Sequence, residues 1–240
     1  MSGAPATRWS EKASALYDPA YARRYRAYDD EVQHGGPYRA FCEWLAKACA
    51  LFAPPIDVLD LGCGTGRYFW ALTGVRSLVG IDASAAMLDE ARHPLHADRI
   101  RAEHVTLVHG DLASHDFAAG QFDLVYSIGV LAEHTPFDAA VAARVQRWLR
   151  AGGRFVFTTV HPDSTSIPRT WPRLIGRALG RILPAPLAKP LRERLLAGGL
   201  YADERRITDV LAPGFEIEAL RQFDSEAHRH CWCVARKRAA

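Results

Sequence analysis

The chain has 240 residues, 49% of them hydrophobic and 24% charged, and a net charge of +3. That suits one globular domain or one domain with a cap, and a charge this close to balance gives no overall signal for nucleic acid. No apolar run approaches the ~20 residues of a membrane span, and the five cysteines (42, 49, 63, 231 and 233) are odd in number and too scattered for a disulfide framework.

The first stretch, "MSGAPATRWSEKAS", lacks the apolar core of a signal peptide, so a cytoplasmic protein is expected. Residues 1–52 read as helical and hold Tyr17, Tyr21, Tyr25, Tyr28 and Tyr38; they are expected to form a lid. Four near-continuous apolar runs follow: Ile56–Leu61, Leu78–Asp82, Val105–Val108 and Asp123–Ser127. Strands covered on both faces look like this. Helices are expected at Ser84–Arg92 and Phe137–Arg150, the second ending on the glycines of "AGG". A fifth strand is expected at Arg154–Val160. Residues 162–213 then break the alternation with Pro162, Pro168, Pro172, Pro184, Pro186 and Pro190 and a helix-like run, Trp171–Leu183. Phe215–Phe223 and His230–Arg236 complete the set as an antiparallel pair. Alternating strands and helices predict an α/β fold: a Rossmann-like, seven-stranded, mostly parallel sheet with an antiparallel last strand, helices on both faces and a helical cap.

The first strand runs into "GCGTG". Glycines without Cβ let a ligand lie on the main chain, and a helix is expected from about Arg67, with free N–H groups at its start. Dinucleotide sites space their glycines G-x-G-x-x-G. Here they are Gly62, Gly64 and Gly66, one residue too tight at the third. Asp60, just before the turn, would repel a pyrophosphate and favour an amine. Asp82, ending the next strand, is placed to accept from two ribose hydroxyls.

The segments "VLDLGCGTG", "GIDAS-x-x-ML-x-x-A", "HGDL", "FDLVYSIGVLAEH" and "LRAGGRFVFTTVH" occur in order. The chain resembles the class I S-adenosylmethionine-dependent methyltransferases of the small-molecule type. The resemblance is close over about residues 56–162. It implies S-adenosyl-L-methionine as cofactor and S-adenosyl-L-homocysteine as its product. It further implies that Asp60 and the loop of Gly62, Cys63, Gly64 and Gly66 hold the methionine part. Asp82 would take the ribose, with Ala83 and Met87 beside the adenine. Asp111 would accept from the adenine amino group, flanked by Gly110 and Leu112. Ser127, Ile128 and Gly129 would border the methionine, and an N-terminal tyrosine, Tyr21 or Tyr25, would close over the cofactor.

Transfer of a sulfonium methyl is an in-line displacement, so alignment of the reactants is the protein's main task. A base is needed only when the acceptor must lose a proton. His134 and His161, ending the fourth and fifth strands, are the candidates, with Glu133 as an alternative. "HRHCWC" at 228–233 would alternate its donors across the two faces of a strand, so no metal is expected there.

In the insertion, Arg169, Arg173, Arg177 and Arg181 share one helical face. Solvated arginines, a wall for an acidic acceptor, and a surface helix meeting a lipid-linked acceptor all fit this pattern. The function expected is methylation of oxygen or nitrogen on a small molecule, in secondary metabolism or glycan modification. An NAD-dependent reductase with an atypical glycine turn, and a binding domain without turnover, stand as the alternatives.

Overall fold

The computed structural model describes residues 11–12, 15–164, 200–225 and 228–239. The expected helix Trp171–Leu183 and the row of Arg169, Arg173, Arg177 and Arg181 lie outside the described residues.

Helices α1 (Pro19–Val32) and α2 (Gly36–Cys49) precede the sheet. Asp18 caps α1 by accepting from the Tyr21 N–H at 2.7 Å, with Pro19 at the first helical position. Seven strands follow: β1 (Ile56–Leu61), β2 (Val75–Asp82), β3 (His104–His109), β4 (Phe122–Ser127), β5 (Leu149–Val160), β6 (Phe215–Asp224) and β7 (Arg229–Lys237). Between them lie α3 (Ala85–Ala91), α4 (Ala139–Trp148) and α5 (Glu204–Leu211). Strand order is β3-β2-β1-β4-β5-β7-β6, and β7 runs antiparallel to both of its neighbours. All seven expected strands form, most of them longer by a residue or more at an end.

Alternation along the strands sorts the core into two layers. Leu59, Leu61, Val125, Phe155 and Phe157 face α4 and α5, where Trp148, Val145, Ile207 and Leu211 cover them. Val58, Leu78, Leu124 and Val156 face the other way, onto Leu45, Ala48 and Cys49 of α2. Strand order reverses between β1 and β4, which opens a crevice at their carboxyl ends.

Two local expectations are corrected. No helix starts at Arg67; the crossover holds one 3₁₀ turn, Phe69–Ala71. Only residues 62–74 join β1 to β2, and the glycine turn takes the first five. A helix returning along a ~20 Å strand at 1.5 Å per residue needs ~13 residues for itself. Helix α2 covers that face instead. The "AGG" glycines do not end α4, which stops at Trp148. They lie within β5, where the register against β4 slips between Phe122 and Leu124. Gly152 has φ +74°, a left-handed conformation that suits an irregular strand.

Candidate active site

The crevice opens into a cavity lined from β1, β2, the turn after β4 and the N-terminal segment, as small-molecule sites at such switch points are. Its floor is the glycine turn. Gly62 has φ +75°, and a Cβ there would meet the Val130 side chain at 2.4 Å. Gly64 has φ +55° and a single neighbour, the Met87 Cε, at 3.3 Å from such a Cβ. Glycine at both positions therefore follows from backbone and space together.

Four of the five amides of this turn, residues 62–66, are committed. Gly62 N–H and Cys63 N–H both donate to the Ile81 carbonyl, at 2.8 and 3.0 Å, and Gly66 N–H donates to Cys63 O at 2.9 Å. Gly64 N–H donates to Asp82 Oδ2 at 2.9 Å. With no helix start here either, the turn has no row of amides for a diphosphate. Gly66 itself lies outside the cavity, its absent Cβ leaving room for Phe69.

Carboxylates mark the ligand's polar contacts. Asp60 is buried, and among the described residues no cation pairs with it. Burial pushes its carboxyl up to about 8, reinforced by Asp82 and partly offset by the Tyr126 hydroxyl. A ligand ammonium would supply the missing counter-charge. Asp82 also has its acidity weakened by burial, against the Ser84 and Gly64 amides. Its Oδ1 accepts from Ser84 N–H at 2.8 Å and its Oδ2 from Gly64 N–H. The Ala83 amide also faces this carboxylate, which still keeps acceptor capacity for a hydroxyl. Asp111 ends this row beside Gly110 and Leu112, its Oδ1 bonded to Ala113 N–H at 2.8 Å. Ala83, Met87, Ile128, Gly129 and Cys63 complete the expected lining. These groups fit an amine-bearing nucleoside with a free ribose.

The roof comes from the N-terminal segment. Tyr17 and Tyr25 reach the cavity; Tyr21 does not, and packs edge-on against Tyr17 with ring centroids 5.0 Å apart. Asp29 of α1 is buried, accepts from Thr65 Oγ1 at 2.5 Å and pairs with Arg67. Burial raises the Asp29 pKa and Arg67 lowers it in turn. Arg67 lies 4.5 Å from the Tyr25 ring centroid. The tyrosine spacing marks a helix face in the sequence, but nothing there pairs Asp29 with Thr65 and Arg67 or selects Tyr17.

His134 also lines the cavity. A tight turn after β4 presents it: Glu133, His134 and Thr135 all donate their N–H to Val130 O, and Ala132 takes φ +59°. His134 Nε2 lies 2.8 Å from Tyr17 Oη and 3.8 Å from Glu133 Oε1. Burial raises Glu133 to about 7 and lowers the His134 pKa.

Ser127 and His161 stand apart from the cavity. Ser127 Oγ donates to Leu61 O at 2.8 Å and ties β4 to β1. His161 Nε2 lies 3.5 Å from Glu204 Oε2, close to Cys231, a set of donor types that a metal could use. However, His161 Nδ1 accepts from Asp163 N–H at 3.0 Å. The neutral ring then carries its proton on Nε2, which leaves no lone pair there for a metal.

Sheet order, crevice, committed amides and the row of carboxylates define an α/β protein built around an amine-bearing nucleoside. The methyltransferase-domain family profile matches residues 58–153. An uncharacterised methyltransferase of Synechocystis is 31% identical over 165 residues, 61% of this chain and 73% of that protein. A ubiquinone biosynthesis O-methyltransferase of Thiobacillus denitrificans is 33% identical over 161 residues, 61% of this chain and 65% of that one. Among the other curated relatives compared, the chain spans as little as 38% of the partner's length. The crystal structure of magnesium protoporphyrin IX methyltransferase from Synechocystis, solved with S-adenosylhomocysteine bound, has the same fold: TM-score 0.61 at 19% identity, covering 95% of this chain and 99% of that one. The chain belongs to the class I S-adenosylmethionine-dependent methyltransferases. The reductase alternative falls with the committed amides and this membership.

Proposed function

We propose that the chain methylates oxygen or nitrogen of a small-molecule acceptor, with the cavity floor holding S-adenosylmethionine and the roof and the β4 turn facing the acceptor. When bound, the cofactor supplies an electrophilic methyl group on a sulfonium. Asp60 would hold its ammonium, Asp82 its ribose and Asp111 its adenine, while Gly62, Gly64 and Ile128 give it room. One observation carries this reading: the same cavity has buried carboxylates along its floor and a histidine–tyrosine pair at its roof, with Glu133 beside the histidine. The first set suits an amine-bearing nucleoside, and the second suits an acceptor that loses a proton.

The protein's contribution is alignment and exclusion of water. Tyr17, Tyr25 and the buried Asp29–Arg67 pair close the cavity over the reacting groups. Residues 1–52 are read as the lid and 162–213 as the substrate cap of a single domain. An acidic or lipid-linked acceptor is consistent with the arginine spacing in that cap. No described helix is long and apolar enough to cross a membrane, and a cytoplasmic setting is proposed. The activity fits secondary metabolism.

Calorimetry tests the reading. S-adenosylhomocysteine should bind at micromolar strength and NADH should give no heat; the reverse order of affinities would overturn the assignment. A screen of phenols, alcohols, carboxylic acids and amines with methyl-labelled cofactor then identifies the acceptor atom.

A further inference from the structure

We propose that Tyr17 and His134 form a proton relay in which the Tyr17 hydroxyl touches the acceptor and His134 receives the proton. The inference rests on the methyl-transfer reading above and deepens it: the acceptor arrives carrying a hydroxyl, as a phenol or enol does.

Tyr17 Oη and His134 Nε2 are 2.8 Å apart, with the rings edge-to-face at 5.4 Å, and both residues line the cavity. Nε2 is therefore engaged, and a base at that nitrogen reaches the acceptor through the tyrosine oxygen. A hydroxyl that donates its one proton to Nε2 keeps two lone pairs for an incoming O–H. Tyr17 is also fixed at its backbone. Its carbonyl accepts from Ser84 Oγ at 2.7 Å, and Ser84 N–H is held by Asp82. The residue expected on the ribose thus sets the position of the relay.

Charge states agree with these directions. Burial pushes Tyr17 far above the usual phenol range, and Tyr25, Tyr21, Glu133 and Asp82 add to it. Tyr17 therefore stays a hydroxyl and conducts a proton rather than storing one. Burial lowers the His134 pKa, which keeps its ring neutral and able to accept. Glu133, 3.8 Å from Nε2, stabilises the imidazolium once it forms.

In the step, the acceptor O–H breaks and its proton bonds to the Tyr17 oxygen. Tyr17's own O–H breaks and that proton bonds to Nε2. Tyr17 ends unchanged and His134 ends as imidazolium. The electron pair left on the acceptor oxygen is the nucleophile, and the imidazolium returns its proton to water after the product leaves.

Wild type, Tyr17→Phe and His134→Gln are compared by S-adenosylhomocysteine calorimetry, by ¹⁵N spectra of the histidine rings, and by labelled-methyl transfer to a panel of phenols. Wild-type His134 should show a bare Nε2 and a protonated Nδ1, with the Nε2 signal moving in Tyr17→Phe. Both variants should keep S-adenosylhomocysteine affinity. Tyr17→Phe should lose ~10²-fold or more in kcat with KM little changed. The wild-type rate should fall as pH drops through a value below the usual histidine range, and that limb should vanish in His134→Gln. Tyr21 and Tyr25 of α1, Glu133 of the β4 turn and Asp82 of β2 are the titratable groups facing the pair. A protonated Nε2 in the wild type overturns the relay and needs no acceptor to be seen. So does a Tyr17→Phe protein with full kcat. Failure of the wild type to bind S-adenosylhomocysteine would instead strike the cofactor reading.

Discussion

The Asp60 carboxyl is strongly altered by its surroundings, and its titration is a direct report on the ligand. Unfolded, its carboxyl loses a proton near ~4. In the folded free protein it holds that proton up to about 8. Between these values the native state binds more protons, so this group makes stability fall as pH rises from ~4 to ~8. Urea midpoints at several pH values should show a smaller decline in Asp60→Asn than in the wild type. An ammonium beside Asp60 favours the ionised form, so binding S-adenosylhomocysteine at pH 7 should release a proton. Calorimetry in buffers of different ionisation enthalpy measures that release, and Asp60→Asn should abolish it. Affinity should fall ~10- to 100-fold, as for a lost charged hydrogen bond. Asp60, Asp82 and the glycines were legible in the sequence because all sit at strand ends, where neighbouring residues fix their place. Tyr17 was not, because its selection over Tyr21 and Tyr25 depends on how α1 lies against the β4 turn. Tyr17 precedes the helix that Asp18 caps, so helical spacing alone does not place it.

At the level of elements, α1 is held by one buried knot, Asp29 with Thr65 and Arg67. Removing the carboxylate leaves Arg67 buried without its counter-charge, a change that costs ~3–5 kcal/mol in comparable pairs. Helix α1 packs mainly on α3 and the glycine turn, so its own release is the easiest relief. Asp29→Ala should therefore speed amide exchange over residues 19–32 and leave β1, β4 and β5 protected, read by hydrogen–deuterium exchange with mass spectrometry. Equal loss of protection in the strands would show that the knot supports the whole fold instead. The strands were the most readable elements, since burial on both faces writes them as continuous apolar runs. The missing helix after β1 could have been inferred from its short connection, but the glycine motif suggested the usual geometry. The "AGG" glycines misled for a related reason: a helix end and an irregular strand both call for a left-handed residue.

Across the whole molecule, the end opposite the cavity is tied by charge. Arg150 bridges Asp57 and Asp123 at 2.7 and 2.5 Å, and Arg76 also pairs with Asp57, so the starts of β1, β2, β4 and β5 share one network. Burial works against ionised Asp57, but the hydrogen bonds from Arg76 and Arg150 outweigh it and hold its pKa below the usual carboxylate range. A lowered folded pKa means that the stabilisation is complete above ~4 and is lost as pH falls through the folded value. Both arginines are partly exposed, which screens the pairs. Asp57→Asn should thus cost ~1–2 kcal/mol in urea unfolding, with S-adenosylhomocysteine affinity unchanged.

Helix α2 stands where a crossover helix would otherwise lie, and its Trp44 and Phe41 rings meet Trp232 of β7 at 4.7 and 4.8 Å. Residues nearly two hundred positions apart in the chain thus share one layer. On the ribosome that layer stays open until β7 has emerged. Deleting α2 or β7 exposes the same sheet face, so the two deletions should fail alike, as insoluble protein rather than as weak enzymes.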